Sequence, residues 1–116
     1  MNIEDIRTYC LSKKAVSESF PFNDTTLVFK VEDKIFALLN LEIPQSINLK
    51  CAPEKALRLR EEYHFILPGY HMNKKHWNTI LLDEFVADDL LRGWIDDSYR
   101  LVVLGLPSQK RQHLEG

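Results

Sequence analysis

Hydrophobic positions at helical spacing predict three helices. In residues 2–13, apolar side chains follow Asn2, which can cap the helix in a capping box with Asp5. Pro53 suits the first position of a second helix, because that position needs no backbone N–H. Residues 87–104 carry the apolar stripe of a third, longer helix, and a glycine follows its end.

Apolar residues alternate with polar ones in shorter runs, which predicts β-strands. The runs are residues 25–31, 34–39, 47–51, 65–67 and 77–82. In the first run, Leu27, Phe29 and Val31 fall on one face, and Val28 and Lys30 fall on the other. The alternation predicts a single core that contains Leu27, Phe29, Ile35, Leu38, Leu49, Trp77, Ile80 and Leu91.

The sequence also predicts the conformation of two connections between these elements. Pro21 biases Phe20 towards an extended conformation, so residues 15–23 are expected to be an irregular link after the first helix. Glu32 and Asp33 separate the first two strands. A two-residue hairpin is expected there; because such a turn requires positive φ, which this pair adopts poorly, a longer loop is the alternative.

The predicted order is α-β-β-β-α-β-β-α. Strands joined by short turns form antiparallel hairpins, so the fold class is α+β, with an antiparallel sheet and helices packed on one face. At 116 residues and 45% hydrophobic composition, residues 1–116 are expected to form a single domain with its own core. The sequence shows no signal peptide and no apolar run long enough to span a membrane, which favours a cytoplasmic protein.

Charge is distributed unevenly, although the net charge is only −2. Residues 50–76 contain six lysines and arginines against three acids, and residues 83–97 contain six acids against Arg92 alone. A chain of low net charge can still present a basic face to a polyanion. The alternative is that both runs are ordinary solvated surface.

Familiar catalytic and metal-binding patterns are missing from the sequence. Cys10 and Cys51 are expected to be reduced thiols that are not bonded to each other. His71 and His76 are five residues apart and lack zinc-ligand spacing, so no metal and no cofactor are expected. No nucleophile motif or phosphate-binding glycine loop occurs, and the chain is not expected to be an enzyme.

The most distinctive stretch is PGYHMNKKHWNT, residues 68–79, which contains no acid. Basic side chains interleaved with aromatic ones suit contact with phosphates and packing against bases or sugars. As a long connection between two strands, the segment could project as a hairpin, or wing. The alternative is a structural turn whose aromatic residues pack into the core.

This stretch, with several weaker landmarks, resembles the MmcQ/YjbR family over about residues 2–111. The other landmarks are Phe20-Pro21-Phe22, Phe29-Lys30-Val31, residues 34–39, Asn48-Leu49-Lys50-Cys51, Pro53-Glu54, Leu59-Arg60 and residues 98–102. Two positions depart from the family pattern. Glu32-Asp33 stands where the family often has a glycine, and Ala52 replaces an aspartate that would cap the helix opened by Pro53.

The resemblance implies a YjbR-like fold of the frataxin-like or double-wing type and a role in binding DNA. It places Lys30 and Lys34 on one wing and assigns phosphates to Lys74 and Lys75. The full expected nucleic-acid-binding set is Lys30, Lys34, Lys50, Tyr70, His71, Asn73, Lys74, Lys75 and His76. Asn73 would contact a phosphate or a base edge, and Trp77 would anchor the hairpin.

The expected partner is double-stranded DNA, bound by a monomer or weak dimer. A protein-interaction or regulatory domain without nucleic-acid binding remains the alternative.

Overall fold

The computed structural model describes residues 1–69 and 72–115, apart from the side chain of Glu115. Its elements are α1 Ile3–Leu11, β1 Val16–Ser19, β2 Thr26–Val31, β3 Lys34–Asn40, β4 Ser46–Lys50, α2 Pro53–Glu62, β5 Ile66–Pro68, β6 Trp77–Leu81, α3 Asp88–Leu104 and α4 Ser108–Glu115. The strands form one antiparallel sheet in the order β1-β2-β3-β4-β6-β5. The predicted α+β class and antiparallel sheet are therefore confirmed.

The predicted element order omitted one strand and one helix. Strand β1 occupies part of the segment expected to be irregular, and α4 follows the third predicted helix. The polar sequence of β1 carries little strand signal of its own; its conformation depends on pairing with β2, where Val16 lies opposite Val31. An ion pair of 2.7 Å between Arg7 of α1 and Glu18 of β1 also holds this edge strand.

The β2–β3 connection is the expected two-residue hairpin turn, and not the alternative of a longer loop. Val31 pairs directly with Lys34, and Glu32 and Asp33 have φ angles of 48° and 68°. These are the left-handed angles that two-residue hairpins need. This turn matches the twist of the paired strands. The hydrogen bonds between β2 and β3 therefore hold Glu32 and Asp33 at positive φ, a conformation to which their side chains are poorly suited.

All the helices contribute to a core on one face of the sheet. It combines strand residues such as Phe29 and Ile47 with helix residues such as Ile6, Leu59 and Ile95. The predicted alternation in β2 is confirmed, because Leu27, Phe29 and Val31 all belong to this core. Helices packed on a single face leave the other face of the sheet without a covering layer; we call it the open face.

The prediction of a single core was wrong in one respect. Val28, Leu38 and Trp77 form a second, smaller cluster on the open face, with Ile35 and Met72 packed against it. The alternating side chains of a strand point to opposite faces, so Val28 cannot share a core with Leu27 and Phe29. The other five residues of the predicted set are buried in the main core: Leu27, Phe29, Leu49, Ile80 and Leu91.

Helix starts follow the sequence signals closely. Both hydrogen bonds of the capping box between Asn2 and Asp5 are present, which confirms that prediction. The N-cap of α2 is Ala52, and no side chain supplies the missing hydrogen bond. Leu57 was expected on the buried stripe of α2 but is 56% exposed; Ala56 and Leu59 are buried there instead.

Candidate nucleic-acid interface

The basic residues expected at the interface converge on one end of the sheet. Neighbouring strands of an antiparallel sheet run in opposite directions, so each strand begins where its neighbour ends. One end of this sheet therefore contains the end of β2, the start of β3, the end of β4 and the start of β6. Lys30 pairs with Ile35 across β2 and β3, and Lys50 pairs with Trp77 across β4 and β6. The β5–β6 connection carrying Lys74 and Lys75 leaves the sheet at this end, which we call the basic end.

The strand register separates two of the expected residues. Lys30 shares the open face with Ile35, which packs on the second cluster. Lys34 pairs with Val31, whose side chain lies in the main core, so Lys34 projects from the helix-covered side. The two lysines of the β2–β3 hairpin therefore project to opposite faces, and Lys30 is the one that shares the open face with Lys50, with β3 between them.

The β5–β6 connection, residues 69–76, is held in place by an asparagine and an arginine. Asn73 Oδ1 accepts a hydrogen bond from Lys75 N at 2.9 Å, and the Asn73 carbonyl accepts from Trp77 N at 2.9 Å. Arg60 of α2 donates from Nη2 to the Lys74 carbonyl at 2.5 Å and from Nε to Asn78 Oδ1 at 2.8 Å. The lysines of this connection therefore project from a backbone braced against α2.

Side chains in this connection have different exposures. Lys74 and Lys75 are exposed, whereas His76 is half-buried. Trp77 is only 8% exposed and belongs to the second cluster, which confirms its expected role as an anchor. Tyr70 and His71, two of the expected contact residues, lie outside the described residues.

The acidic run of the sequence is on the helix-covered side, and most of its α3 carboxylates are paired with cations. Asp96 is 2.5 Å from Lys13, and Asp97 is 2.6 Å from Lys55. Asp88 binds the N-terminal amino group at 2.7 Å. The three acids belong to α3, which packs on the main core, so they lie on the far side of the sheet from Lys30 and Lys50.

A groove of about 850 Å³ runs along the open face from the opposite end of the sheet. Its lining is Phe22, Asn23, Thr25, Thr26, Ile35, Leu38, Asn40, Glu42, Ile43, Pro44, Ser46, Asn48, Met72, Thr79 and Leu81. Glu42 is the one charged residue of that lining. The groove reaches the basic end at Ile35, the neighbour of Lys30, and at Met72, which belongs to the β5–β6 connection.

Three asparagines in the groove have their carbonyl oxygens engaged by the protein itself. Asn23 Oδ1 accepts from Thr26 N at 2.8 Å, and Asn40 Oδ1 accepts from Glu42 N at 3.2 Å. Asn48 Oδ1 accepts from the hydroxyl of Thr79. For Asn23 and Asn40 the donor is a backbone N–H, which fixes which end of the amide is oxygen. Within residues 1–69 and 72–115, the three NH2 groups have no hydrogen-bond partner, so they are available as donors.

The two thiols are buried in the main core. Burial raises the pKa of Cys10 to about 12, and burial also raises the pKa of Cys51. A thiol with a raised pKa stays protonated at neutral pH and is a poor nucleophile. In the described part of the chain, no three His, Cys, Asp or Glu side chains come together as a metal site. No described helix is long and apolar enough to cross a membrane.

Sequence reasoning identified the lysines but missed the groove. Asn48 and Lys50 were placed correctly on the face opposite Ile47 and Leu49. The same alternation points Thr79 to that face, and a sheet with helices on one side must leave such side chains open. The missing signal was tertiary: Phe22 and Ile43 border the groove from loops whose positions no local pattern reveals.

The fold and this face define a small α+β protein whose antiparallel sheet has one face open and basic at one end. The family model YjbR matches residues 11–101, and the chain belongs to this family. It is 34% identical to Escherichia coli K12 YjbR over 98% of both chains. It is 39% identical to YbdF of Escherichia coli O157:H7 over 96% of this chain and 92% of YbdF.

A solved structure shows the same fold. The crystal structure of a Deinococcus radiodurans protein with the DUF419 domain is 38% identical, with a TM-score of 0.91. The match covers 98% of this chain and 88% of that protein. The names of these three proteins specify no ligand or reaction. The similarity to them therefore establishes the family and the fold of this chain.

Proposed function

We propose that this protein binds nucleic acid without catalysis, contacting duplex phosphates through the two hairpins at the basic end. The observation that carries the proposal is the segregation of charge across the sheet. Lys30 and Lys50 project from the open face at the end of the sheet where the connection that bears Lys74 and Lys75 also lies. The carboxylates of α3 lie on the other side, paired with cations of their own.

The hairpins have the geometry of two wings. The β2–β3 hairpin and the β5–β6 hairpin turn at the same end of the sheet, and the end of β4, with Lys50, lies between them. Bracing of the second hairpin by Arg60 lowers the conformational entropy lost when its lysines meet a ligand. Glu32 and Asp33 at the tip of the first hairpin oppose a polyanion, so the β4 and β5–β6 lysines supply most of the expected attraction.

A titration of labelled duplex DNA by fluorescence anisotropy over a range of salt concentrations tests this proposal. Neutralising about four phosphates gives a log–log salt slope of about −3 to −4, at roughly −0.9 per contact. K74A/K75A should flatten the slope by about 2. R7A/R92A removes the same charge from α1 and α3, on the helix-covered side of the sheet, and should leave the slope unchanged.

The possible results separate the parts of the proposal. A slope that is flattened equally by both double variants would show diffuse attraction and would discard the hairpin as the site. Binding with a slope unaffected by K74A/K75A would also discard it. No duplex binding at high micromolar protein and low salt would overturn the function itself.

An interaction with another protein is the second candidate, and exposed apolar side chains favour it. Ile43 is 90% exposed, Phe85 is 89% exposed and Phe22 is 65% exposed. Exposed aromatic and aliphatic side chains are typical of interaction surfaces when they are contiguous. Sedimentation velocity across a concentration series tests the simplest case, self-association; F85A or I43A should abolish any dimer that uses these residues.

A further inference from the structure

We propose that the groove on the open face binds unstacked bases of a single-stranded nucleic acid, and that the lysines of the basic end bind its phosphates. This inference rests on the proposed phosphate binding by these lysines and adds a single strand to the duplex as a second form of the ligand. At about 850 Å³ the groove is within the size range of small-ligand sites. The described residues that line it include no cation, so they would hold a ligand by hydrogen bonds and apolar contact.

The hydrogen-bonding groups of the groove favour ligands that present acceptors. The carbonyl oxygens of Asn23, Asn40 and Asn48 are all engaged, and their NH2 groups are available. Ring nitrogens and exocyclic carbonyl oxygens of bases are acceptors on a flat, uncharged edge. Thymine and uracil, with two carbonyl oxygens and no amino group, are the best match to a row of donors.

The apolar walls favour a flat ligand. Phe22 lines the groove with its ring 65% exposed, opposite a floor that includes Leu38. Ile43 and Met72 extend the apolar lining at the two ends. Stacking of a base on an aromatic ring is tolerant of sequence and contributes about 1–3 kcal/mol per base.

The position of the lysines distinguishes a nucleotide from an extended peptide. Asn48 lines the groove, and Lys50 lies two residues further along the same face of β4, about 6.8 Å away at the usual strand rise. Lys30 lies beside Ile35, which also lines the groove. A single strand carries regularly spaced phosphates beside its bases, whereas a peptide backbone offers carbonyl oxygens without that negative charge.

The first test compares two labelled ligands of equal length and charge, oligothymidylate and an abasic deoxyribose-phosphate oligomer. The native protein should bind oligothymidylate at least fivefold more tightly, since one stacked base corresponds to about that factor or more. Equal affinities would overturn the groove inference while leaving phosphate binding by the lysines intact. Failure to bind either oligomer or duplex DNA would overturn both.

The second test removes the aromatic wall. F22A should weaken oligothymidylate binding about fivefold or more and leave binding of the abasic oligomer unchanged. F85A removes another exposed phenylalanine, one outside the lining of the groove, and is the matched control. Equal effects of F22A and F85A on oligothymidylate would contradict the inference. K74A/K75A should weaken both oligomers, which separates the phosphate site from the base site.

Discussion

Gly69 and Trp77 approach so closely that no larger residue fits at position 69. A Cβ atom on Gly69 would lie 2.8 Å from Trp77 Cβ and 3.0 Å from the Trp77 carbonyl oxygen. Gly69 N donates to that same carbonyl oxygen at 2.9 Å. The contact closes the base of the β5–β6 connection, so a residue of the sequence motif that resembles a binding loop has a structural role.

Gly69→Ala should therefore lower the free energy of unfolding by about 1–3 kcal/mol, the usual cost of overpacking a closely packed site. Gly93→Ala is the matched control, because a Cβ on this exposed helical glycine meets nothing within 4 Å. That variant should gain about 0.5–1 kcal/mol. Chemical denaturation of both measures the difference; equal effects would show that the Trp77 contact relaxes freely.

Ser98 bridges β3 and β4 where their ladder ends. Its buried hydroxyl accepts from Lys50 N at 2.8 Å and donates to the Phe36 carbonyl at 2.5 Å. Ser98→Ala should cost about 1–3 kcal/mol for each buried group left unpaired. The control is Ser46→Ala, another buried serine, whose hydroxyl has no hydrogen-bond partner in the described part of the chain. Urea denaturation should show little change in the free energy of unfolding for Ser46→Ala.

The β2–β3 turn should accept glycine with a gain in stability. Asp33 has a φ of 68°, where a side chain costs roughly 1–2 kcal/mol. Asp33→Gly should recover about 1 kcal/mol, measured as a rise in the thermal midpoint. Asp24→Gly makes the same replacement at an exposed residue without positive φ and should give no gain. A fall in stability for both would show that Asp33 contributes contacts that offset its strain.

Acid stability should depend on Asp96. Burial opposes ionisation of this carboxyl, but hydrogen bonds from Lys13 and Tyr9 outweigh it and hold the pKa of Asp96 below its ordinary 3.8. A lowered folded pKa contributes stability that is present above 3.8 and is lost as the pH falls through that value. Asp96→Asn should therefore flatten the fall in unfolding free energy below about pH 4. If Asp96→Asn leaves the fall in unfolding free energy at acid pH unchanged, the role of Asp96 in acid stability is contradicted.

Local patterns were sufficient for the main architecture. Alternation in β2 placed Phe29 inside, and the capping signal at Asn2 located the start of α1. Both depend on physics within a few residues: a strand points successive side chains to opposite faces, and a cap satisfies nearby N–H groups. The basic end is not determined at this level, because the order of the strands is what brings the ends of β2 and β4 to the same end of the sheet.

Tertiary structure decided the rest. The ladder holds Asp33 in a left-handed conformation, and pairing with β2 makes a strand of the polar residues of β1. The groove exists because Phe22 and Asn48, distant in sequence, meet over a face that the helices leave open. These outcomes depend on long-range packing energies that exceed local preferences, and a short sequence window contains no information about them.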